Sequence, residues 1–213
     1  MPTHPFDIAR AAHYPADAAL PIDFGHNRTE LAKYFRTLNY RTGVEVGVES
    51  ALYSRTLLTH NPQLTLYSID QWKVYPAYRA HVVQSKVDTF YDKAKERLAP
   101  YGPRSRIIRS SSMDAVRSFE PESLDFVYID ANHSFDYVMQ DIIEWSRRVR
   151  KGGIVAGHDY TDKRRYEDIH VVQAVAAYTA VRNIRPWFII GGESEVHSFW
   201  WMKTWHDRDG RSR

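Results

Sequence analysis

Two short runs of the chain end in an acid and a histidine. "YIDANH" (128–133) carries Asp130 and His133, and "VAGHDY" (155–160) carries His158 and Asp159. Carboxylates beside imidazoles can take a proton near neutral pH or hold a divalent cation. Further polar groups follow other apolar runs: Glu45, Gly47 and Ser50 in "EVGVES" (45–50), Asp70 and Gln71 after "LYSI", and Ser112 and Met113 in "SSSMD" (110–114). The chain has no cysteine, which excludes disulfides, thiolate metal sites and a cysteine nucleophile.

The elements that must position these groups alternate. Buried strands are expected at 42–47, 64–70, 105–110, 124–130 and 154–158. Helices are expected at 50–60, 82–98, 134–149 and 169–182, each with an apolar stripe at helical spacing. In helix 134–149 the stripe is Phe135, Val138, Ile142, Trp145 and Val149, and "KGG" (151–153) ends it with a glycine cap. A first helix over 27–38 starts at Asn27, with Leu31, Tyr34, Phe35 and Leu38 on one face. Late strands near 187–191 and 197–203 form a hairpin. This is an α/β pattern: a doubly wound, mostly parallel sheet with helices on both faces. Residues 1–26 read as an N-terminal arm, 27–203 as one domain and 204–213 as a polar tail.

In such sheets ligands bind beyond the carboxyl ends of the strands, at the point where the strand order reverses. Every expected strand delivers an acid, a serine or a histidine to that rim. An acid such as Asp70 at the end of the second strand suits the two hydroxyls of a ribose; a loop-ordering acid is the competing reading. The glycine loop is not GxGxxG, because only Gly43 and Gly47 are present. A ligand with ribose and adenine but no pyrophosphate therefore fits better than a nicotinamide dinucleotide.

Together these residues resemble a class I S-adenosylmethionine-dependent methyltransferase. "GVEVGVESALYS" resembles its first cofactor motif and "LYSID" its second. The stretch 124–160 resembles the group that includes the macrolide sugar O-methyltransferases and the cephalosporin-biosynthesis methyltransferase-like proteins. The resemblance implies a Rossmann-like sheet of seven strands with one antiparallel edge strand. It implies S-adenosylmethionine held by Glu45, Gly47, Ser50, Asp70, Gln71, Ser112, Met113 and Asp130. It implies His133 as catalytic base and a divalent metal, magnesium or similar, at Asp130, His158 and Asp159. His158 stands where the sugar enzymes carry glutamate, and hard magnesium prefers oxygen whereas imidazole suits softer ions.

Methyl transfer to oxygen requires the acceptor hydroxyl to lose a proton. A histidine base or a cation beside the oxygen can meet that need. For His133 a helix-start role competes, since Ser134 follows it. For His158 and Asp159 a loop-ordering role competes. The resulting expectation is methyl transfer to a hydroxyl of a small molecule or sugar. The alternatives are a Rossmann-like module that binds the cofactor without turnover and, less favoured, a nicotinamide-dependent oxidoreductase.

The remaining expectations come from composition. A net charge of +3 with no basic block beyond "RRVRK" (147–151) argues against a nucleic-acid partner. No apolar stretch is long enough for a membrane partner, and a cytoplasmic location is the default. Aromatic residues near the C-terminus, Trp200, Trp201 and Trp205, suggest core or edge packing and leave a homodimer open. Acceptor specificity is expected from the arm and from the loops 71–81 and 160–170.

Overall fold

The alternating elements close into one mostly parallel sheet in the computed structural model, which describes residues 19–23, 25–75, 82–162, 168–191 and 196–205. The strands are β1 (Ile22–Asp23), β2 (Thr42–Val46), β3 (Thr65–Asp70), β4 (Ser105–Arg109), β5 (Leu124–Ile129), β6 (Val149–Tyr160), β7 (Phe188–Ile190) and β8 (His197–Met202). The helices are α1 (Arg28–Thr37), α2 (Leu52–His60), α3 (Gln84–Leu98), α4 (Ser112–Ala115), α5 (Phe135–Arg148) and α6 (Val171–Val181). Sheet order is β1-β7-β8-β6-β5-β2-β3-β4, so the order reverses between β2 and β5.

The sheet is buried on both faces, which is why its strands read as continuous apolar runs. Side chains alternate across it. Phe126, Tyr128, Ile154, Ala156 and Trp200 pack on the α1–α3 side, whereas Val127, Ile129, Val155, Phe199 and Trp201 pack on the α5–α6 side. Helix α1 follows the expected pattern: Asn27 accepts the Thr29 amide at 2.9 Å, and Leu31, Tyr34 and Phe35 are buried.

Several expectations are refined. The seven strands are joined by an eighth, β1, drawn from the expected arm, where the Ile22 amide bonds Trp187 at 3.0 Å. The antiparallel strand β8 belongs to this side of the sheet but lies between β6 and β7 rather than at the edge. Helix α5 stops at Arg148 because β6 begins at once with Val149; Gly152, at φ 76°, sits within the irregular start of β6 and does not cap the helix. The carbonyls of Ser146, in the last turn of α5, and of Val149, just past it, instead accept the ammonium of Lys203, at 3.0 and 2.8 Å, and that lysine is 0% exposed. Phe135, expected in the buried stripe, is 39% exposed, and Asp141 is buried there instead.

The basic run has internal partners. Arg147 pairs with Glu144 at 2.6 Å, Arg148 donates to the Val116 carbonyl, and Arg150 pairs with Asp125 at 2.7 Å. Trp200 and Trp201 are fully buried in the core, and Trp205 packs partly buried against it. Most of the arm (1–18), part of each acceptor-loop candidate (76–81 and 163–167) and the tail from 206 lie outside the described residues.

Candidate active site

Strand β5 ends at Asp130, whose amide still donates to the Val46 carbonyl at 2.7 Å. The chain then turns. Asn132 orders that turn by accepting the Ser134 amide at 2.9 Å and the Ser134 hydroxyl at 2.8 Å. The helix-start task therefore falls to Asn132, and the His133 imidazole is free to face the sheet end. Its carbonyl accepts the His170 amide at 2.8 Å, which pins the start of α6 beside it.

Across from this turn, the β6–β8 register shifts between Gly157 and Tyr160, and Asp159 adopts a left-handed φ of 56°. That conformation is uncommon outside glycine. A bulge of this kind re-aims a side chain. Here Asp159 Oδ2 reaches His133 Nε2 at 2.7 Å. Asp130 Oδ1 stands 3.7 Å from the same nitrogen. His158 Nδ1 lies 3.4 Å from Asp159 Oδ1 and 3.9 Å from Asp130 Oδ2.

These contacts set the charges. Burial opposes protonation of His133, but hydrogen bonds and charge from Asp130 and Asp159 outweigh it and push its pKa up to about 9. Burial would raise Asp159, yet the two histidines hold its carboxyl well below the usual range. His133 is thus mainly an imidazolium at neutral pH. Arg28, the first residue of α1, adds a second cation: Nη1 is 3.6 Å from Asp130 Oδ2 and the guanidinium lies 4.9 Å from the Tyr53 ring centroid. Nothing in the sequence pattern singled out Arg28 or Tyr53, because the helix α1 stripe explains only its buried face.

On the other side of the reversal point, Gly47 is required. At φ 85°, a Cβ there would meet the Asp130 carbonyl at 2.0 Å. The Gly47 amide bonds Ile69, and the loop that follows is tied by Asp70. Asp70 Oδ2 accepts the Val48 and Glu49 amides at 2.9 and 3.0 Å, and Oδ1 accepts the Trp72 amide at 2.8 Å. Glu45 lies below this loop, 2% exposed, with the Ser54 hydroxyl donating to it. Burial pushes its carboxyl up to about 8, so it is largely neutral at pH 7. Between the ends of β3 and β4 an open cleft of ≈ 540 Å³ is lined by Gln71, Lys73, Gln84, Arg109 and Ser111, among others.

The predicted residues therefore sort into groups. Asp130, His133, His158 and Asp159 meet at one point. Glu45, Gly47 and Asp70 shape the adjoining loop, with Gln71 on the cleft. Ser50 lies in the same loop, its carbonyl accepting from Arg97. Ser112 and Met113 do not turn their side chains to the rim: Ser112 donates to buried Asp141 and accepts from Trp145, and Met113 packs against the core. A second aromatic pair, Tyr75 and Tyr137 at 6.4 Å, stands near the site, with Asn132 donating to the Tyr75 hydroxyl at 3.1 Å.

Residues 40–160, more than half of the chain, match the family described as methyltransferase domain. The chain belongs to that methyltransferase family. No curated protein sequence matches it significantly. Solved methyltransferases share the fold at low identity. An O-methyltransferase from Bacillus cereus, in complex with SAH, is 14% identical at TM-score 0.57, covering 93% of this chain and 89% of its own. The O-methyltransferase TomG of Streptomyces achromogenes, involved in tomaymycin synthesis and solved with SAM, is 16% identical at TM-score 0.56, covering 83% and 79%. The N-methyltransferase NodS of Bradyrhizobium japonicum is 13% identical at TM-score 0.57, covering 84% and 95%. The fold therefore serves both oxygen and nitrogen acceptors, and the choice between them lies in the site.

Proposed function

We propose that this methyltransferase-family chain moves a methyl group from S-adenosylmethionine to a hydroxyl of a small molecule or sugar. The observation that carries this reading is the 2.7 Å His133–Asp159 contact, beside Asp130, at the point where the strand order reverses. When bound, S-adenosylmethionine supplies an electrophilic methyl on a sulfonium.

The chain's own residues hold the donor and manage the proton. Gly47 lets the first loop pass close to the sheet end, and Glu45 forms a neutral floor. Asp70 and Gln71 would hold the ribose. A carboxylate offers about four acceptor sites; Asp70 already accepts from Val48, Glu49 and Trp72, which leaves capacity for about one ribose hydroxyl. Ser112 and Met113 would border the adenine through their backbone. His133 takes the acceptor proton in its neutral form, roughly one part in a hundred at pH 7 for a group near pKa 9. The negative charge of Asp159 stabilises the imidazolium that results.

The same residues fit a divalent metal. Asp130, His133 and Asp159 each offer one ligand atom within 4.8 Å of the others, and His158 stands beside them. Two carboxylates with imidazole nitrogens suit a borderline ion such as iron(II) or zinc better than magnesium. Such an ion would supply charge stabilisation to an acceptor oxygen, and His133 would have to be neutral to ligate it.

One observation favours the second reading, cofactor binding without turnover: His133 is largely protonated at neutral pH. Calorimetric titration with S-adenosylmethionine and S-adenosylhomocysteine tests the shared part. Binding is expected, and a folded sample that binds neither would sink both readings. Methyl incorporation across a hydroxyl-acceptor panel separates them. There, His133→Ala should lower turnover about tenfold or more while leaving S-adenosylhomocysteine affinity nearly unchanged.

A further inference from the structure

Arg28 has no assigned part in the reaction, yet it occupies a telling place. It is the first residue of α1, and Asn27 fixes that start by accepting the Thr29 amide at 2.9 Å. The Arg28 carbonyl accepts the Tyr53 hydroxyl at 3.0 Å, which ties the start of α1 to α2. The guanidinium lies over the Tyr53 ring and approaches Asp130 to 3.6 Å. That separation is beyond hydrogen-bond reach. The pair attracts through space. The guanidinium also hydrogen-bonds the buried Tyr128 hydroxyl, and with five N–H donors it keeps others for a third group.

Its position selects which part of a donor it can meet. Asp130 ends β5 and Gly47 follows β2, and these neighbouring strands flank the reversal point. The polar cleft that suits the adenosine lies farther along, between the ends of β3 and β4. Each strand step is about 4.8 Å. The cleft and the Asp130 end of β5, where Arg28 lies, therefore stand about two to three strand spacings apart along the carboxyl rim of the sheet. A nucleoside placed at Gln71 and Ser111 extends its substituent past Gly47 toward Arg28.

On the reading given under Proposed function, that substituent is an amino acid. Its carboxylate is planar, and the guanidinium fork matches it in two parallel hydrogen bonds. Tyr53 beneath the guanidinium restricts its tilt, and Asp130 repels a carboxylate that strays toward the reacting centre. We propose that Arg28 is the binding residue for the α-carboxylate of the methyl donor and so fixes which end of the donor points away from His133.

The test compares two ligands that differ only in that carboxylate: S-adenosylhomocysteine and its decarboxylated analogue. Calorimetry on the full chain should show wild type preferring S-adenosylhomocysteine by about ten- to a hundredfold, the range for a charge-assisted hydrogen-bonded pair. Arg28→Gln should remove most of that preference by weakening S-adenosylhomocysteine alone. Arg28→Lys keeps the charge without the fork and should retain a reduced preference. It also serves if Arg28→Gln fails to fold. Equal weakening of both ligands, or an unchanged preference in both variants, would overturn the assignment. Wild type that binds neither ligand would instead remove the methyl-transfer reading itself, and this inference with it.

Discussion

Strand β5 carries an aspartate near its start and another just past its end, and the two are treated very differently. Asp125 is engaged by the fold: Oδ2 accepts the Arg41 and Thr42 amides at 2.6 and 2.8 Å, and Oδ1 accepts Arg150 Nε at 2.7 Å. Among the described residues, the Asp130 carboxylate has longer approaches, to Arg28, His133 and His158, at 3.6, 3.7 and 3.9 Å. The amino-terminal end of the sheet closes its charges within the fold, and the fully buried Lys203 does the same there with the carbonyls at the end of α5. The carboxyl end gathers charges whose hydrogen-bonding capacity is not filled. A carboxylate with satisfied partners holds strands in register. One flanked by the Arg28 guanidinium and the His133 imidazolium, both just out of reach, is organised for something that arrives later.

The largest expected effect breaks the amino-terminal end. Asp125→Ala leaves two amides and a guanidinium without their acceptor, so stability should fall by about 3–5 kcal/mol, read as a lower denaturant midpoint at constant slope. Turnover measured well below the new melting point should stay near wild type. A large turnover loss with little loss of stability would erase the distinction between the two ends. The complementary change sharpens it. Asp130→Asn keeps the shape but removes the charge; turnover should drop roughly a hundredfold, about 2.7 kcal/mol in barrier. Its melting temperature should shift by only a few degrees, because no short hydrogen bond is lost. A variant of Asp130 as destabilised as that of Asp125 would place both residues in the same structural class.

The amino-terminal end was largely illegible in the sequence, and the carboxyl end was not. Asp125 sits inside an apolar run, and nothing local reveals that Arg41 and Arg150, distant in the chain, will meet it. Lys203 looked like a polar strand terminus and is a buried cap for α5. By contrast, parallel strands all end on one rim, so residues placed just after apolar runs were bound to collect there, and Asp130, His133, His158 and Asp159 did. What escaped was whatever reaches that rim from elsewhere, Arg28 and Tyr53, since a helix stripe gives no sign of what its polar face will meet. The hairpin of β7 and β8 was legible from the short connection between two apolar runs. The antiparallel pairing of β8 with β6 was not, because it joins strands distant in the chain and no local periodicity shows it.

A third carboxylate tests the rule from an intermediate position. Asp141, on α5, is 4% exposed and accepts the Ser112 hydroxyl, itself held by Trp145 Nε1 at 2.8 Å. Burial pushes its pKa from 3.8 up to about 6, and the serine only partly offsets this. The folded state then holds this proton to higher pH than the unfolded chain does. Between about pH 4 and 6 folding binds a proton, so stability from this group falls as pH rises, with the full penalty in place above the folded pKa. Asp141→Asn removes the titration and keeps an acceptor for Ser112. Relative to wild type, it should gain about 1 kcal/mol between pH 5 and pH 7, read by denaturant melts at matched ionic strength. A constant difference across that range would mean that the pair is as well satisfied as Asp125. A difference that shrinks with pH would mean that Asp141 is held ionised by a partner other than Ser112.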